Sequence, residues 1–443
     1  IGSNALGTGI SNNNQTGTVA IGYNALYALS SGAGNTAIGY EALSTETAGT
    51  GNTVIGYQAA KVQSGASYNT IIGREGGTGA LVNNIAIGYF TMDGTGAIAG
   101  QDNIFMGANA GGGTWATAAS NYNVGIGSNV MDAALNGALY NTAVGHDTLT
   151  ALTEADGNTV IGYQSGDAIT TSAYNSFLGY QAGTALAGGS GLNVAIGYQP
   201  LYNGTGNTKV IAIGTRAGYN TTADSNVYVG SSAGRENRAG TGQVYIGSQA
   251  GYYATGSNNT FVGADAGKGG TTSAPYSSGT NNVAMGYQSL LKFTTGGNNV
   301  SIGQSSQYES TTGNYNVAIG DAASYRNQTG VENTAIGREA MYGVNGNSHS
   351  YNVAVGSLSL YGITTGESNV GIGVRAGLSI TSGDHNIAIG RYAGDAITTT
   401  AGTVSIGTSA LGGISTTGDY TIAIGYGAMG GAEIGDGNIA IGY

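Results

Sequence analysis

Residues Asn35–Tyr40 read Asn-Thr-Ala-Ile-Gly-Tyr, and the phrase returns as Asn-Val-Ala-Ile-Gly-Tyr at Asn193–Tyr198 and Asn-Ile-Ala-Ile-Gly-Tyr at Asn438–Tyr443. Many further copies obey one rule: Asn, a β-branched residue, a small residue, an aliphatic residue, then Gly. The marker glycines (Gly22, Gly39, Gly56, Gly73 and onward) recur roughly 25 times at a spacing of about 17 residues. A short fixed period is the signature of a solenoid, whose units bury their apolar faces only against their neighbours. Helical repeats are longer and need helix formers that are scarce here. The period therefore predicts an all-β chain: a parallel β-roll or β-solenoid of about 25 short coils, roughly 17 residues each. Residues 1–443 read as one continuous repeat domain, an excerpt of a longer fibre protein, extending about 120 Å at about 4.8 Å per coil.

Side chains alternate along a strand, so each column of the repeat belongs to one face. The aliphatic column before the marker glycine (Ile38, Ile55, Ile196, Ile319, Ile336, Ile389) shares a face with the β-branched column of Thr53, Ile85, Val124 and Val353. This face is assigned to the core. The residue between them is mostly Ala (Ala37, Ala195, Ala318, Ala388), sometimes an aromatic (Phe105, Phe177, Tyr228, Tyr245, Phe261), and is expected on the outside. Because that column is apolar too, it is expected to be covered by a partner chain. The leading Asn (Asn35, Asn52, Asn69, Asn158, Asn193, Asn316, Asn333, Asn386) is expected to form a structural amide ladder, since stacked coils bring equivalent positions within about 4.8 Å. Thr-rich stretches closed by Gly, such as Thr311-Thr312-Gly313 and Thr364-Thr365-Gly366, predict a second short strand in each coil.

Composition narrows the function. Gly accounts for 84 of 443 residues without a Gly-X-Y period, which excludes collagen. A net charge of −11 with only 12 Lys and Arg gives no footprint for nucleic acid, and no apolar run is suited to direct membrane insertion. The chain has no Cys, and His146, His349 and His385 stand in different repeats, so no catalytic, metal or cofactor site is expected. Gly263–Gly269 looks like a phosphate loop but lacks its spacing and its Ser/Thr after Lys. Tyr follows the marker glycine in many copies, including Tyr23, Tyr40 and Tyr57, and is expected to pack over the neighbouring turn or to meet a sugar. The long intervals between Gly88 and Gly127, holding Trp115, and between Gly263 and Gly286, holding Pro275 and Tyr276, are candidate interaction loops.

The string at Asn35–Gly39 and Asn316–Gly320 resembles the head repeat of YadA-like trimeric autotransporter adhesins, related to repeats of phage tail fibres. The resemblance runs along essentially the whole chain. It implies left-handed coils, a parallel homotrimeric rod and a non-enzymatic attachment role at a cell or virion surface, outside the cell. The partner would be an unknown surface receptor, glycan or protein. The longer coil, the Tyr after Gly and the Thr-Thr-Gly turns depart from the adhesin head. A self-assembling extracellular filament and a monomeric ligand- or ice-binding solenoid are the alternatives; the latter requires an even Thr array, and the Thr pairs here drift in position.

Overall fold

The computed structural model describes every residue except 8–14, 97, 116, 347, 414–417 and 432–434. The chain forms two compact units, Ile1–Thr222 and Ala223–Tyr443, built on the same plan. Among the described residues the first carries twelve strands, from β1 (Val19–Ile21) to β12 (Ile211–Ile213); the second carries thirteen, from β13 (Val227–Val229) to β25 (Ile439–Ile441). Each is three residues long, and no helix occurs among the described residues. Within each unit, successive strands pair in parallel and in register: Thr36, Ala37 and Ile38 lie against Thr53, Val54 and Ile55, and Val317, Ala318 and Ile319 against Thr334, Ala335 and Ile336. The fold is a parallel β-solenoid with one short strand per coil.

The strand faces are the reverse of the expectation. Ala37, Ala195, Ala318 and Ala388 in the central column are completely buried. Ile38 and Ile389 are only half-buried, and Ile55, Ile196, Ile319 and Ile336 are 36–37 % exposed, so these six isoleucines lie outside the core. The reason is the thinness of the coil. The chain returns directly beneath each strand and fills the interior from the other side with buried residues such as Ala42 and Leu43, or Ala340 and Met341. Opposite a Leu or Met, a methyl group is all the strand can contribute at close-packed density.

Copies that break the alanine rule show the same constraint. Phe105, Phe177, Tyr228, Tyr245 and Phe261 also point inward, and each is followed six residues later by Gly: Gly111, Gly183, Gly234, Gly251 and Gly267. A Cβ on any of these glycines would press into the aromatic ring of its own coil. Where the centre is Ala, the same position holds a large residue in most coils, such as Leu43, Leu201, Leu290 or Met341, and a small one in a few, as at Gly218, Ser324 and Gly394. A large residue on one wall requires a small one on the other.

The marker glycine is held by two constraints at once. Its φ is +140° at Gly39 and Gly56, a conformation L-residues avoid, and an added Cβ would strike the carbonyl of the marker glycine in the next coil. Beyond it, ordinary residues adopt the left-handed conformation at alternate positions, as at Glu41 and Leu43 (φ 52° each). Among the described residues the Thr-rich stretches form no second strand. Those stretches instead join coil to coil by single bonds: the Thr311 backbone N–H donates to the Gln328 carbonyl at 2.8 Å, and the Thr311 hydroxyl to the same oxygen at 3.0 Å.

The asparagines form the expected ladder. Asn52 donates from Nδ2 and from its backbone N–H to Asn35 Oδ1, both at 3.0 Å, and from Nδ2 to the Ala66 carbonyl at 2.7 Å. The unit repeats from Asn52 to Asn69, from Asn141 through Asn158 and Asn175 to Asn193, from Asn299 through Asn316 to Asn333, and from Asn369 to Asn386. Buried amides are tolerated because their donors and acceptors are satisfied. Gln243 continues the column, its Oε1 accepting from the Asn259 N–H at 2.9 Å. Val210 takes the bond from Asn193 Oδ1 through its own N–H at 3.0 Å but has no amide to extend it.

Two outcomes follow for stability. Gly183→Leu is expected to lower the melting midpoint through overpacking of about 1–3 kcal/mol, and Phe177→Ala through a cavity of about 3–5 kcal/mol. The double variant reproduces the Ala195 and Leu201 pair of the next coil. Its loss, measured in a denaturant double-mutant cycle, should fall well short of the sum. Asn369→Ala strands the Asn386 N–H and the Gly383 carbonyl in the interior, and is expected to cost about 2–4 kcal/mol. Asn369→Gln should cost less in the same urea titration.

Candidate interaction surfaces

Because the strands turn Ala inward, they turn their branched residues outward. In the first unit Met106, Ile126, Ile161 and Leu178 succeed one another along the outer strand face, and in the second Met285, Ile319, Ile336 and Ile372 lie in the same column, each at least one-third exposed. The β-branched column beside them is half-buried at most positions. The aliphatic column repeats coil after coil, beside a column that is Val or Ile in most coils and Thr or Ser in others such as Thr53, Thr159 and Ser176; the strip is more continuous than the scattered apolar residues of an ordinary surface, a pattern that marks association sites.

Tyrosines extend this surface. Tyr23, Tyr40 and Tyr57 stack at 5.3 Å per step while remaining 43–47 % exposed, and Tyr163, Tyr180 and Tyr198 repeat the arrangement at 5.3 and 5.2 Å. The rings therefore pack on each other between coils, with their outer edges in solvent. A second column in the second unit, Tyr308, Tyr325, Tyr342 and Tyr361, stacks at 4.9, 5.1 and 5.2 Å. Partial burial, reinforced by the flanking phenols, raises the Tyr325 pKa, and the Glu41 carboxylate does the same to Tyr40.

The loop residues selected from the period breaks divide. Trp115 is not on a projecting loop: it is 3 % exposed, its Nε1 donates to the Gly111 carbonyl at 3.2 Å, and its ring fills the space beside Gly100. The longer coil there has room for a large plug. Pro275 is exposed, and Tyr276 beside it stacks on Tyr253 at 5.9 Å with the Arg238 guanidinium 5.6 Å from its ring centre.

Groups with chemical potential are dispersed. His146 lies 3.0 Å from Asp147 at the surface, His349 is buried, and His385 is exposed. Among the described residues no three His, Asp or Glu come together in a geometry that could hold a metal ion. No helix of the described residues is long and apolar enough to cross a membrane. Gly263 and Gly267, within the apparent phosphate loop, are the marker and ring-clearing glycines of a solenoid coil, the second lying against Phe261.

The sequence reading missed Glu46, fully buried at a position where some coils place Leu or Ile, as at Leu29, Leu152 and Ile169. Its Oε1 accepts from the N–H groups of Ala48, Gly49 and Gly65 at 2.9, 2.7 and 2.8 Å, and its Oε2 from Ala66 at 3.0 Å. Four backbone donors from two coils satisfy this carboxylate, so it acts as a structural clamp. The signal was an acid seven residues past a marker glycine, in a column that mixes apolar residues such as Leu29 and Ile169 with polar ones such as Gln63, Asn237 and Asn327.

No protein-family model matches the chain, and no curated protein matches it in sequence.

Burial pushes the His349 pKa down to about 4, below its ordinary value of 6.5. The neutral ring is the form that fits, so its contribution is complete above about pH 6.5, and is lost as pH falls toward 4 because the unfolded chain takes up the proton first. The loss is bounded at about 3 kcal/mol. His349→Gln should flatten the fall in melting midpoint between pH 7 and pH 4.5 relative to the parent chain; parallel curves would contradict this.

Proposed function

We propose that the chain is a structural segment of an attachment fibre: a non-enzymatic, left-handed solenoid that associates in parallel as a homotrimer on a cell or virion surface, outside the cell, and presents its flanks to a receptor. The observation that carries this reading is the outward apolar strip of the strands. A single chain leaves Ile319, Ile336 and their equivalents in water, and side-by-side association covers them in one step. The surface expected to be covered thus moves from the alanine column to its neighbours. A parallel arrangement about an axis would set like coils against like, so one repeated pattern serves the whole length. The count of three and the handedness rest on the resemblance of the Asn-x-Ala-Ile-Gly repeat to trimeric adhesin heads.

An ice-binding reading is disfavoured because Thr hydroxyls are spent within the fold, as in Thr294, Thr311 and Thr381, which donate to carbonyls of the next coil. The adhesin or fibre reading predicts a light-scattering mass near three chains for the full chain. Ile319→Lys with Ile336→Lys should reduce that mass while leaving the circular dichroism of the coils unchanged, since both side chains point away from the core. A single-chain mass for the parent protein, or an unchanged oligomer in the double variant, would contradict the proposal.

A further inference from the structure

Between the marker glycines Gly337 and Gly407 lies an open groove of about 650 Å³ in the second unit. Its walls are Leu358, Tyr361 and Leu378, with Arg375 and Glu339 on one rim and Thr398 at the far side. None of these residues lies in a strand, so association through the strands would leave the groove open. Tyr361 ends the four-ring stack: in the next coil its place is taken by Leu378.

The rim carries one cation, Arg375, and one acid, Glu339. Arg375 and Arg391 both lie over the Tyr392 ring, at 5.8 and 4.8 Å from its centre, and Arg391 Nη2 donates to the Tyr392 hydroxyl at 3.3 Å. That hydrogen bond, and the charge of the two guanidiniums, lowers the Tyr392 pKa. The acids facing this rim are Glu339, half-buried, and Asp395, whose pKa is raised by burial. Stacking on Tyr392 holds the Arg375 fork in place, the arrangement that favours planar two-point recognition of a carboxylate.

We propose that this groove is a binding site for a carboxylate-bearing saccharide. The Arg375 guanidinium takes the sugar carboxylate, Tyr361 with Leu358 and Leu378 takes the apolar C–H face of the ring, and Glu339 accepts from sugar hydroxyls. The site gives a chemical class to the receptor of the attachment reading and rests on that reading for its biological meaning, although the binding itself does not require three chains.

Titration calorimetry of the full chain with 3′-sialyllactose and with trigalacturonate, each against its neutral counterpart (lactose and the methyl-esterified trisaccharide), tests the assignment. Binding is expected for at least one of the acids, at least about tenfold weaker for its neutral form, and about tenfold or more weaker in Arg375→Gln, as for loss of a charge-assisted bond. Tyr361→Ala should weaken it as well. Arg375 is exposed, so its variant keeps the fold, which circular dichroism checks. Which acid binds separates a sialic-acid source from a uronic-acid one. Failure of both acids at millimolar concentration, equal binding of acid and neutral forms, or unchanged binding in Arg375→Gln would overturn the site. A three-chain mass measured on the same sample would show that the fibre reading survives that failure.

Discussion

At the marker glycines successive coils meet so closely that a carbonyl or main-chain atom of one coil occupies the space a side chain would need in the next, as at Gly39 and Gly56. Everything else in the fold adjusts to that approach. Only Gly fits, and only in a conformation other residues avoid, so the turn after every strand is sharp and the coil is thin. A thin coil has room for one modest side chain from each wall. Hence alanine lies under leucine or methionine in most coils, and glycine lies under phenylalanine or tyrosine. The Asn ladder operates on the same spacing, fastening each coil to the next with side-chain and main-chain bonds in an interior too narrow for a conventional core.

The same thinness explains the surface. With the interior reserved for small central residues, the branched residues that make a good strand have nowhere to go but out. The solenoid therefore presents apolar columns on its strand face, and stacks its tyrosines edge-out at the turns. A surface of this kind is an anomaly for a lone soluble chain and an ordinary feature of one that lies against copies of itself. The groove beside Tyr361 is built from turn residues rather than strand residues, and so is free to differ from coil to coil.

Much of this was legible in the sequence, and the reasons for the rest are physical. The period, the parallel solenoid and the Asn ladder could be read because Gly and Asn have specific backbone and hydrogen-bonding roles. Which strand face is buried could not be read from alternation, since Ala37 on one side and Thr36 with Ile38 on the other are all compatible with burial. The deciding information lay six residues downstream. Phe177 followed by Gly183, and Ala195 followed by Leu201, already state that the central column faces a wall inside the coil. Trp115 was misplaced because a period break signals extra residues without saying whether they project or fold inward. Glu46 and the Tyr361 groove depend on neighbours from other coils, which a column-by-column reading does not bring together.

The central claim is that Ala faces in, Ile faces out, and the outward face is where chains meet. The chain contains no Cys, so single cysteines placed at adjacent strand positions report on it directly. After mild oxidation and a non-reducing gel, Ile319→Cys should yield covalently linked chains, because equivalent residues converge between parallel copies. Ala318→Cys should yield none and should resist thiol reagents until the fold is denatured. Cross-linking through Cys at 318 with an inert, reagent-inaccessible Cys at 319 would contradict the account.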